Sequence, residues 1–190
     1  MRTISRLVEV QWADPDKKRR AWLLNILLVG VAAVSVLELL VTMAATVMGM
    51  YVPERDFALY LAGIGLLAGV VIIYLINRYW SGDVASVLFL LLITTVLAFT
   101  DEPHQVVQGR SLFMLVLPVL MASVLLRPWA SFVMAGVVGL FLVCVAVMAN
   151  LGSVVLGSLP FTILAFLTIA LVSWLSSRSL ERALEDLRVI

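Results

Sequence analysis

The sequence predicts an all-α polytopic membrane bundle of six transmembrane helices, with both termini cytoplasmic. Three observations carry this. Of the 190 residues, 63% are hydrophobic and only 13% are charged. A soluble domain carries about 25% charged and roughly 45–50% apolar residues, so lipid has to solvate most of this chain. The apolar residues fall into runs near the ~20 residues a helix needs to cross the hydrocarbon core. The cations, finally, gather on one side of the implied crossings.

A net charge of +1 excludes a polyanionic partner recognised by bulk charge, nucleic acid included. A single cysteine, Cys144, excludes an intrachain disulfide and a cysteine cluster for zinc, and its apolar run predicts a buried structural thiol. The first twenty residues are too polar for a secretory signal.

Residues 1–20 form a cytoplasmic basic leader. Ile4, Leu7, Val8 and Trp12 recur at helical spacing until Asp14-Pro15-Asp16 breaks the pattern. The cations Lys17 to Arg20 then hold that end beside anionic headgroups. The six-helix domain occupies residues 21–175. Its first helix spans about 21–50, long enough to cross with tilt, and the loop from Tyr51 to Asp56 ends it. The second spans about 57–76 and closes on Asn77-Arg-Tyr-Trp80, where aromatics flank a cation as interfacial anchors. Ser81-Gly-Asp83 turns the chain into a third helix over about 84–99.

The fourth apolar run, 111–126, rises only about 24 Å, short for a crossing. Asp101-Glu102-Pro103 reads as a helix start, an acid cap with proline in the first turn. A helix over 103–126 reaches a comfortable length and draws Gln108 and Arg110 below the membrane surface. Pro118 lies within it and predicts a kink. Arg127-Pro128-Trp129 ends it, and the fifth and sixth helices follow over about 130–148 and 154–175.

This count places Arg2, Arg6, Lys17, Lys18, Arg19, Arg20, Arg78, Arg127, Arg178, Arg182 and Arg188 inside, with Arg55 and Arg110 outside. That asymmetry needs an even number of crossings. Beyond the sixth helix, residues 176–190 continue as a cytoplasmic signalling-type helix. Leu180, Leu184 and Leu187 follow the spacing of a coiled-coil seam and predict a dimer contact. The same residues also suit an amphipathic end lying on the membrane.

The candidate ligand or signal site combines Glu38, Arg110, Gln108, His104, Glu102 and Asp101. A carboxylate at the depth of Glu38 costs about 2.5–3.5 kcal/mol on insertion scales and is expected to face the bundle interior with a partner. Helical rise puts Glu38 and Arg110 within about 8 Å in depth, so Arg110 is the expected partner. Glu38 equally serves as structural glue. His104, with Asp101 and Glu102, is positioned to sense protons or bind a metal, but a lone histidine supplies too few ligands for zinc. A solvated rim residue is the plainer reading. No HExxH, GxSxG, P-loop or dinucleotide fingerprint occurs, so no catalytic residue and no enzymatic activity is expected. Nothing in the residues points to a particular cofactor. Gly63, Gly65 and Gly69, with Gly136 and Gly139, read as close helix packing.

Taken together, Gly109-Arg-Ser-Leu-Phe113, Leu126-Arg-Pro-Trp-Ala-Ser-Phe132 and the tail Leu180-Glu-Arg-Ala-Leu-Glu-Asp-Leu187 give the chain a familiar outline. It resembles the multi-pass N-terminal membrane sensor regions of bacterial sensor histidine kinases and, less closely, those of diguanylate cyclases. The resemblance implies the bacterial cytoplasmic membrane, a homodimer joined through the last helix, and an output of PAS, GAF or kinase domains after the coiled coil. The 190 residues hold no such output module, so the resemblance expects either a continuation past Ile190 or a stand-alone membrane protein. The expected function is therefore a sensory domain that relays a ligand or membrane signal through its last helix. The alternative expectation is a small structural, assembly or pigment- or lipid-binding subunit of a larger membrane complex.

Overall fold

The computed structural model describes residues 15–49, 53–99, 106–107 and 109–188. They form seven helices and, among themselves, no strand: α1 (Pro15–Val47), α2 (Pro53–Tyr79), α3 (Gly82–Phe99), α4 (Arg110–Met114), α5 (Val116–Leu125), α6 (Ala130–Met148) and α7 (Ser153–Arg188). Four of them contain stretches long and apolar enough to cross a membrane: Lys17–Val47, Leu59–Tyr79, Ala130–Met148 and Gly157–Ser179. Two shorter apolar stretches, Gly82–Ala98 and Ser111–Leu125, accompany them. The chain has the character of an integral membrane protein. Large apolar side chains such as Val34, Leu37, Val41, Ile64, Val71, Leu140, Phe161 and Leu164 lie exposed. A protein surface of this kind is unstable in water and ordinary in hydrocarbon.

The helices divide into two compact units, Met1–Val96 and Leu97–Ile190. In the first, α1 buries Ala21, Leu28, Ser35 and Thr42, a strict seven-residue stripe widened by Leu24 and Asn25. A spacing of seven keeps these positions on one side of the helix. Contacts at both ends show that α1 and α2 run antiparallel: Thr46 Oγ1 lies 3.2 Å from the Tyr60 hydroxyl, and Asn77 Nδ2 reaches Asn25 Oδ1 at 2.8 Å. Gly49, at φ +76°, ends α1 in the left-handed region that glycine adopts at low cost. Phe89, fully buried, anchors α3 in this unit.

In the second unit α6 buries Ala130, Ser131, Met134, Ala135, Val138, Gly139, Leu142 and Ala146. Asn150, at φ 49°, ends it, and the Leu151 N–H reaches back to the Ala146 carbonyl at 3.1 Å. Cys144, expected to be buried, is exposed. It stands two residues from Leu142, about 200° around the helix, which turns it away from the packed side.

The fourth apolar run departs from the unbroken helix expected over 103–126. Gly109 is extended (φ −103°, ψ −159°), and α4 begins only at Arg110. Glycine is a poor helix former, and no side chain caps this start. A second interruption at Leu115 separates α4 from α5. The kink expected at Pro118 thus falls one turn earlier. Proline has no N–H to give the carbonyl four residues before it, and that residue is Met114, the last of α4. By contrast α7 passes Pro160 without a break over 36 residues.

Candidate functional site

Of the expected site residues, the structure describes the side chains of Glu38 and Pro118. Glu38 lies on α1 at the flank of the buried stripe and is exposed, so within the first unit it does not face the interior as its depth suggested. Its backbone carbonyl accepts a hydrogen bond from Thr42 Oγ1 at 3.0 Å. Arg110 is the first residue of α4, with its side chain outside the described residues. Asp101, Glu102, His104 and Gln108 also lie outside them. Pro118 is buried in α5. Leu180, Leu184 and Leu187 stand on the backbone of α7, their side chains outside the described residues. Among the described residues no three His, Cys, Asp or Glu side chains gather as a metal site would require.

Two polar contacts that sequence reasoning passed over hold the helices instead. The first fastens α1 to α2 near the basic start of α1. Asn77, on the last turn of α2, is fully buried. Its Nδ2 donates to the Ala21 carbonyl at 3.2 Å and to Asn25 Oδ1 at 2.8 Å. A carboxamide buried among apolar groups has to find such partners, because an unpaired one costs about 1–3 kcal/mol. Close packing surrounds the contact. A Cβ added at Gly82 would lie 3.3 Å from Asn77 Oδ1 and 3.7 Å from the Ala21 Cβ, so the α2–α3 turn approaches α1 because residue 82 has no side chain.

The second contact gathers α5 and α6 around α7. Ser123 Oγ on α5 lies 2.6 Å from Ser173 Oγ on α7, and Ser177 Oγ, one turn further along, donates to Ser123 Oγ at 3.2 Å. Ser131 Oγ on α6 reaches the Ala170 carbonyl at 3.1 Å. Phe132 of α6 meets Trp174 with ring centroids 6.3 Å apart. The Arg178 guanidinium stands 5.1 Å from the Trp174 ring centroid, a cation over an aromatic at the end of the apolar part of α7. Higher on the same helix pair, Gly139 admits Ile163, whose Cγ1 lies 3.3 Å from where a glycine Cβ would be. The Ser173, Trp174 and Ser177 contacts fall within about two turns of Ser179, where the apolar stretch of α7 ends.

A signal for both existed in the sequence. Asn25 and Asn77 are amides in otherwise apolar helices, and Ser123, Ser131, Ser173 and Ser177 are hydroxyls in apolar runs. Side chains of this kind cross-link membrane helices. Charge drew attention to Glu38 and Arg110, although neutral polar groups are cheaper to bury and more often join helices. Comparison with protein-family models, curated proteins and solved structures finds no match to this chain.

Proposed function

We propose that this protein is a membrane-embedded sensory domain that relays a ligand or membrane signal along α7 to a cytoplasmic output. One observation carries the reading: α7 is a single helix of 36 residues that begins in the apolar layer and continues to Arg188. At 1.5 Å per residue it is about 54 Å long, against a hydrocarbon core of about 30 Å. Its apolar stretch ends at Ser179, and the remaining helix carries Leu180, Leu184 and Leu187 at seam spacing. A rigid rod that shifts against α5 and α6 just before it leaves the lipid carries that motion outward as a rotation or displacement.

The reading includes six crossings, the stretches Gly82–Ala98 and Ser111–Leu125 completing the four longer ones, with both termini cytoplasmic in a bacterial inner membrane. The distribution of the 13 Lys and Arg residues supports that orientation. It also includes a homodimer through the tail of α7, as in the two-component sensors the chain resembles. Cysteine cross-linking in native membranes tests the relay. Single cysteines at positions 180, 184 and 187 are expected to give a dimer, and cysteines at positions 179, 182 and 186 are not. Cross-linking at neither set, or equally at both, would remove the seam and the coupling with it. Reporter fusions after residues 51, 81, 109, 128, 151 and 188 test the crossings. Alternating sides, beginning outside and ending inside, are expected.

A further inference from the structure

At the basic start of α1, a cavity of about 40 Å³ is lined by Lys17, Arg20, Ala21, Ser81, Gly82 and Asp83. It has room for about three waters or one phosphate-sized group. Its composition is unusual for a membrane-boundary anchor: two cations from α1 face an acid from the first turn of α3. Asp83 shares this lining with Lys17 and Arg20. The cavity is walled by the two small residues that let α1 and α3 approach, Ala21 and Gly82. Behind Gly82 stands the Asn77 side chain. It is fully buried, both hydrogen bonds of its Nδ2 are made, and its Oδ1 has no hydrogen-bond donor among the described residues. The space that a Gly82 Cβ would fill is 3.3 Å from that oxygen.

Such a cavity asks for a ligand with an anionic and a cationic end a few atoms apart, the cationic end bearing N–H donors. An inorganic anion satisfies Lys17 and Arg20 and leaves Asp83 without a donor. A quaternary ammonium offers charge but no N–H. We propose that this is a headgroup site for an aminophospholipid: the phosphodiester sits between Lys17 and Arg20, and the primary ammonium donates to Asp83. The four-residue cationic run accounts for attraction to any phosphate-bearing surface. Asp83 adds the selection for the ammonium, since charge-assisted hydrogen bonds are the strong and directional ones.

The site is tested by native mass spectrometry of the full chain in detergent. Phosphatidylethanolamine, phosphatidylcholine and phosphatidylglycerol of one acyl composition compete as the added lipids, with inorganic phosphate as a separate arm. One phosphatidylethanolamine is expected to be retained about fivefold or more over each competitor. Asp83→Asn is expected to bring that preference close to parity while lipid is still bound. Lys17→Gln with Arg20→Gln lowers retention of all three lipids about tenfold. Gly82→Val fills the cradle and displaces the ethanolamine lipid. Equal retention of the three lipids overturns the proposal, as does a preference untouched by Asp83→Asn, or release of lipid by millimolar phosphate alone. Asp83 is exposed, so its substitution leaves the packing intact and keeps the test decisive if the double cation variant fails to fold.

Discussion

The two units solve one problem with different side chains. Each has to join apolar helices in a solvent that gives no hydrophobic drive for association. The first unit uses carboxamides, Asn77 on Asn25 and on the Ala21 carbonyl. The second uses hydroxyls, Ser123 on Ser173 and Ser177, and Ser131 on the Ala170 carbonyl. The difference lies in what remains when the contact is lost. A serine in a helix satisfies itself on its own backbone, as Ser123 does on the Leu120 carbonyl and Ser131 on the Pro128 carbonyl, both at 2.9 Å. The Asn77 amide makes its contacts across the helix boundary and has no such fallback. The first unit is therefore pinned at its basic end, whereas α7 can shift against α5 and α6 with little polar penalty. The proposed relay asks for a movable α7, and hydroxyl contacts that fall back on their own backbone suit that.

The comparison is most sharply broken at Asn77. Asn77→Leu removes the donor to the Ala21 carbonyl and to Asn25 Oδ1 and is expected to lower stability by about 1–3 kcal/mol, read as thermal or denaturant unfolding in detergent. Replacing both asparagines by leucine is expected to recover a good part of that loss, because neither buried amide then remains to be satisfied. Were the double variant as unstable as the sum of the two singles, the pin would be packing and not hydrogen bonding. Ser173→Ala is expected to be the mildest, about 0.6 kcal/mol or less, since interhelical hydrogen bonds in membranes average that value and Ser123 keeps its backbone bond. An effect at Ser173 as large as at Asn77 would erase the distinction between the units.

Much of the architecture was legible in the sequence, and the reasons are physical. Hydropathy found the apolar segments because their composition leaves no other solvent, and Gly49 and Asn150 ended helices where turn residues were visible. Helix four is interrupted where an unbroken helix was expected, while its expected start at Pro103 lies outside the described residues. Asp101-Glu102-Pro103 has the chemistry of a cap, but Gly109 and Pro118 each set a break that local propensity weighs against. Which side of a helix faces inward was harder still. Glu38 and Cys144 sit in helices whose apolar residues surround them completely, so no amphipathic stripe marks the packed face. In such helices only the sparse neutral polar residues report orientation, and Asn25, Asn77 and the serines are the positions that carried it.

The central claim, a pinned first unit and a movable α7, is tested most directly by pairs of spin labels in lipid nanodiscs, with Cys144 replaced by alanine. One pair at Ile26 and Tyr79, both exposed, spans the asparagine contact; another at Val124 and Leu175, also exposed, spans the serine contact. The account predicts a single narrow distance distribution for the first pair and a broad or two-peaked one for the second. Equal widths, or the broader distribution across α1 and α2, would contradict it.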